Sequence, residues 1–105
     1  MGRTVKRLER YGLFEWDSDK AASNEQKHGI GFEYACETFS DPFQLMEDAS
    51  DKDEERVGII GYALSAHPMQ PLYVVAKDLG ENQWRIISAR LATKQERRRY
   101  EEEAC

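Results

Sequence analysis

Arg85-Ile86-Ile87-Ser88-Ala89-Arg90-Leu91-Ala92-Thr93-Lys94-Gln95-Glu96-Arg97-Arg98-Arg99-Tyr100 decides the fold, because two kinds of pattern meet inside it. Residues 84–90 are apolar and β-favouring, with an arginine near each end, and read as a strand. Thr93 and Glu96 then have the spacing of a capping box, in which each side chain satisfies a backbone N–H of the other, so a helix starts at Thr93. A strand that runs straight into a terminal helix, after several other short strands, points to an α+β chain.

Upstream, residues 43–47, 56–65 and 72–78 also read as strands, the second with Gly58 and Gly61 as points of close approach or bulging. Residues 48–55 are too charged to bury and form a surface loop. A turn with two prolines spans 66–71, and His67 within it is a surface residue. The connections are too short for helical crossovers, so these strands pair as an antiparallel meander. Nearer the N-terminus, Leu13-Phe14-Glu15-Trp16 is a short strand. Asp17 caps a helix that stops at Gly29, a residue suited to the left-handed conformation a helix end requires. Phe32, Ala35, Cys36 and Phe39 have the spacing of a helix buried on one face, ended by Asp41-Pro42. Residues 1–12 are expected to be a flexible lead-in, and residues 13–105 a single domain: a twisted antiparallel sheet of four to five strands, packed by two N-terminal helices and a C-terminal helix.

A chain of 105 residues supports one modest core. Its composition, 40% hydrophobic and 33% charged, is that of a globular domain. No apolar run reaches the length of a membrane span. The two cysteines suggest neither a disulfide framework nor a zinc site, which fits a reducing cytoplasm. The net charge of −5 argues against a simple nucleic-acid binder, but the charges are segregated. Residues 47–55 hold six acids and one lysine, whereas residues 85–99 hold six bases and one acid. A local basic patch of this kind binds phosphate even on an acidic chain.

Four groups of residues have chemistry to offer. Lys20, Asn24, Lys27 and His28 fall roughly on one side of the first helix. They make either a phosphate-binding group with a titratable imidazole or a helix end whose cations complement the dipole. Arg85 and Arg90 offer bidentate forks for a phosphate or for a carboxylate. In a regular strand they face opposite ways unless a bulge intervenes, so one of them, with Arg90 the choice, enters a site. Lys94, Arg97, Arg98 and Arg99 line the last helix as a phosphate-facing or a solvated face. Arg56 follows Glu54-Glu55 at a strand start. There is no glycine-rich phosphate loop, no paired-cysteine motif and no metal-ligand spacing, so a metal-free, cofactor-free chemistry is expected.

Taken in order, Phe14-Glu15-Trp16-Asp17, Lys20-Ala21-Ala22-Ser23-Asn24, Lys27-His28-Gly29, Phe32-Glu33-Tyr34-Ala35, Asp41-Pro42, Glu55-Arg56 and the stretch from Arg85 to Arg97 resemble the BrnT family of toxins. The resemblance covers residues 13–102. It implies a RelE-like fold and a bacterial, cytoplasmic ribonuclease of a type II toxin–antitoxin system that arrests translation. It also implies a BrnA-like antitoxin through which any DNA contact is made, and an assembly that is either a homodimer or a toxin–antitoxin heterotetramer. Carried onto this chain, it implies His28 as base, Arg56 and Arg90 as stabilisers of the developing charge, and Lys27, Arg85, Lys94 and Arg97 as RNA contacts. The alternative is a non-catalytic member of the same fold that acts by complex formation and operon autorepression.

Overall fold

The computed structural model describes residues 8–66 and 69–104. Its elements are β1 (Leu8–Tyr11), β2 (Phe14–Asp17), α1 (Ser18–His28), α2 (Phe32–Glu37) with a 3-10 turn (Thr38–Ser40), β3 (Leu45–Asp48), β4 (Val57–Tyr62), β5 (Pro71–Gly80), β6 (Gln83–Leu91) and α3 (Lys94–Ala104). Residues 1–7 and His67 lie outside the described residues, and so do the readings made for them.

The caps are the ones the sequence dictates. Asp17 accepts from the N–H groups of Asp19 and Lys20 at the start of α1. Gly29 closes it at φ 74°, its N–H donating to the Glu25 carbonyl. At α3 the Thr93 N–H donates to Glu96 Oε1 at 2.8 Å, and the Glu96 N–H donates to Thr93 Oγ1 at 3.2 Å.

The strands form one sheet in the order β1-β2-β6-β5-β4-β3. Two expectations are corrected here. Among the described residues the sheet has six strands rather than four or five, and it is mixed, because β2 runs parallel to β6 through Phe14↔Trp84 and Glu15↔Arg85. The added strand is β1, in a stretch expected to be a loose lead-in. It pairs antiparallel with β2 across a tight turn at Gly12, which is why a polar, exposed segment is ordered.

The core lies on one face of the sheet, under α1 and α2. Phe32, Ala35 and Cys36 of α2 pack on Trp16, Ile59, Leu72, Val74, Ala76, Ile86 and Ala89, with Phe14, Phe39 and Trp84 at its margin. The Cys36 thiol is pushed up to about 12 by burial and by nearby Glu33. It is a core residue rather than a nucleophile.

Helix α3 lies on the opposite face. Tyr100 packs edge-on against Tyr62, with ring centroids 5.3 Å apart, and donates from its hydroxyl to Asp41 Oδ2 at 2.7 Å. Arg99 reaches Glu47 at 2.6 Å, and Glu47 in turn accepts from the Tyr73 hydroxyl. Gly58 is glycine because any Cβ there would collide with the Tyr73 ring and hydroxyl.

Strand β6 outruns β2, whose pairing stops at Arg85. Beyond that point a helix supplies what a strand would. Asn24 of α1 donates through Nδ2 to the Ala89 carbonyl (2.8 Å) and the Ile30 carbonyl (3.1 Å), and accepts from the Ala89 N–H through Oδ1 (3.1 Å). It is the buried residue of α1, while Lys20, Lys27 and His28 are exposed. The group proposed on one side of this helix therefore divides into one structural amide, two surface lysines and an exposed histidine.

Candidate functional site

Strand β6 carries a bulge. Ser88 pairs with Val75 and Ile86 pairs with Ala76, so Ile87 has no partner on β5. The extra residue reverses the alternation. Ile86 and Ala89, three apart, both face the core, and Arg85 and Arg90 both face the other side. This corrects the expectation that the two arginines point to opposite faces.

On that side a row of cations crosses the sheet. Lys77 pairs directly with Arg85, Arg85 with Glu15, and Glu15 with Arg10. Arg56 adjoins the row immediately before Val57, which pairs with Ala76. At about 4.8 Å between strands, the row from Arg56 to Arg10 extends about 19 Å.

Two carboxylates fix it. Glu15, only 6% exposed, takes Arg85 on Oε2 through Nε (2.7 Å) and Nη2 (2.6 Å), and Arg10 on Oε1 at 3.4 Å. Glu54 takes Arg56 Nε on one oxygen at 2.8 Å and Lys77 Nζ on the other at 3.2 Å. Those two cations hold the Glu54 carboxyl below its ordinary range, so it is ionised at neutral pH. The four cations exceed the two carboxylates by two positive charges. Arg56 and Arg85 also line one small cleft with Lys20 and Glu54.

Arg90 shares the face but not the cluster. Its guanidinium binds Glu96 through Nη1 (2.8 Å) and Nη2 (3.0 Å) and lies 4.5 Å from the Tyr73 ring centroid. Tyr73 is four residues from Lys77 along β5, which puts Arg90 about 13 Å from the row. The Arg90 fork holds the Glu96 carboxyl below its ordinary range. His28 is exposed at the end of α1, on the core side of the sheet, in a shallow cleft with Tyr34, Gln70 and Leu91. The structure thus does not bring His28, Arg56 and Arg90 together. Lys27 is exposed on α1, and Lys94 and Arg97 are exposed on α3.

Lys77, Glu54 and Glu15 are residues of the site that the sequence reading missed. Lys77 had no usable signal. Counting back across the tight turn between Gly80 and Gln83 sets Lys77 opposite Ile86, and only the irregularity between Asp78 and Gly80 shifts it beside Arg85. Among the described residues no cluster of three or more His, Cys, Asp or Glu is placed to hold a metal. No helix is long and apolar enough to cross a membrane.

Fold and site together define a small α+β protein that displays ordered cations on the open part of one sheet face. The family model for the ribonuclease toxin BrnT, of type II toxin–antitoxin systems, matches residues 16–96. This chain therefore belongs to the BrnT toxin family. Its structure is similar to the crystal structure of the Brucella abortus ribonuclease toxin BrnT, with 25% sequence identity and a TM-score of 0.53, over 75% of this chain and 94% of that one. A comparison with curated proteins gives no match.

Proposed function

We propose that this chain is a metal-independent, RelE-like endoribonuclease that arrests translation and is neutralised by a BrnA-like antitoxin, with the row Arg56–Lys77–Arg85 as its phosphate-binding element. The observation that carries the reading is the bulge at Ile87, which brings Arg85 onto the same face as Lys77. An RNA phosphate held there meets two guanidinium groups and an ammonium, which stabilise the extra negative charge of a pentacoordinate phosphorus. The ribose 2′-hydroxyl attacks that phosphorus, the bond to the 5′-oxygen breaks, and a 2′,3′-cyclic phosphate remains. Glu54, ionised between two cations, is the carboxylate in reach of the hydroxyl proton, and Lys77 is the group in reach of the leaving oxygen. His28, Lys27, Arg90, Lys94 and Arg97 then contribute at most to guiding the RNA, and Arg90 chiefly holds α3.

The test is cleavage of a labelled RNA by the purified chain in EDTA, with cyclic phosphate ends as the signature. Arg56→Ala and Arg85→Ala should each lower the rate about 10²-fold or more, His28→Ala less than about threefold. Loss on His28→Ala with Arg56→Ala intact would overturn the assignment.

One observation favours the non-catalytic alternative. Arg56, Arg85 and Arg90 are each already paired with a carboxylate. Normal growth on overexpression, with no RNA cleavage, would leave complex formation and autorepression as the function.

A further inference from the structure

At the end of the sheet away from the β1–β2 turn, Tyr62 and Tyr100 floor a groove of about 540 Å³ whose rim carries Phe43 and Leu64. These two side chains are 56% and 80% exposed. The groove is built rather than incidental, because its walls are tied together by carboxylates. Asp41 accepts from the N–H of Phe43 on Oδ1, and from the N–H of Tyr62 and the hydroxyl of Tyr100 on Oδ2. Glu37 accepts from the N–H of Ser65 at 2.8 Å. A preformed apolar concavity keeps its bulky side chains in water at a standing free-energy disadvantage that a partner relieves.

Its charge selects the partner. Glu37 and Asp41 line it, no lysine or arginine does among the described residues, and α3 runs on from Tyr100 into the exposed Glu101, Glu102 and Glu103. Phosphate is repelled here, and the cationic row lies elsewhere on the sheet. A second copy is disfavoured as well, since a symmetric contact sets this acidic rim against itself on chains of net charge −5.

We propose that this groove is the docking site for the antitoxin, which enters it with a cationic amphipathic segment: bulky apolar side chains seated over Tyr62 and Tyr100, with lysines or arginines opposite Glu37, Asp41 and the end of α3. The proposal rests on the reading of the chain as a toxin held by a protein antitoxin. The antitoxin then grips a surface separate from the phosphate row.

Calorimetric titration with the protein encoded by the adjacent gene tests it, using wild type, Phe43→Glu, Leu64→Glu and, as control, Leu13→Glu at the exposed β1–β2 turn. Both groove variants should bind about tenfold or more weakly, as expected for the lost burial of one large apolar side chain. Leu13→Glu should bind as wild type, and circular dichroism should be unchanged throughout. Wild-type binding should also weaken as salt rises from 50 to 500 mM. Groove variants that bind within twofold of wild type, salt-insensitive binding, or a wild-type dimer dispersed by Leu64→Glu would each overturn the docking site. Absence of any binding by wild type would overturn the antitoxin reading itself, and the docking site with it.

Discussion

Replacing Asn24 with alanine should be among the most damaging single changes in this chain, though Asn24 touches no apolar core side chain through a hydrogen bond. Its amide makes three hydrogen bonds, two to Ala89 and one to Ile30. Asn24 is 8% exposed and Ala89 is fully buried, so water does not replace those bonds. Three bonds at about 1 kcal/mol each give about 3 kcal/mol, and leaving a buried N–H and carbonyl unpaired raises the cost. Against a typical domain stability of about 5–15 kcal/mol, that is a large fraction. At about 4–8 °C per kcal/mol the melting temperature should fall by about 12–24 °C. Thermal and urea unfolding followed by circular dichroism measure it, with the urea m-value checking that the transition stays two-state. Asn24→Asp should fare no better, because a carboxylate still accepts from the Ala89 N–H but repels both carbonyls. A loss below about 1 kcal/mol for Asn24→Ala would refute the account of this amide as a stand-in for a strand.

Three further outcomes follow from the packing. Glu47 and Glu96 are held below their ordinary value of 4.5 by Arg99 and Arg90, so the stability they add is complete above that value and drains away as pH falls through their lower folded values. Acid melting curves should therefore be shallower for Glu96→Gln than for wild type below pH 4.5, and equal slopes would contradict the link. Gly58→Ala should destabilise by about 1–3 kcal/mol in chemical denaturation, because Tyr73 is held in place by Glu47 and cannot withdraw. Glu81 and Asn82 turn β5 into β6 with φ of 56° and 63°. Changing Glu81 to Asn should raise stability by up to about 1 kcal/mol, and a lower melting temperature would count against the strain.

The local signals in the sequence were strong where the controlling interaction is local. Asp17, Gly29 and the Thr93–Glu96 pair mark helix ends through bonds made within a few residues, and all were legible. β1 was not, because its partner is another short strand and its four residues are exposed. The parallel contact of β2 with β6 joins residues 70 apart and leaves no trace in either segment. Within the site, Arg56 and Arg85 were legible as charged residues at strand positions. Their company was not. Glu15 reads as one polar residue in an alternating strand, and Lys77 as a solvated one, until register sets them on either side of Arg85. Asn24 looked like a member of a surface group because helix spacing tells which residues are neighbours, not which of them faces the sheet.

The unpaired Ile87 acts as a parity bit for the last strand. Taking it out leaves Arg85-Ile86-Ser88-Ala89-Arg90, in which the two arginines stand four apart in a regular strand and still share this face. Ironing the bulge flat with every residue kept is what would part them, because five apart they alternate. A relative with one residue fewer here therefore keeps the surface chemistry on a straighter strand, whereas one with a single further residue needs a second bulge to keep it.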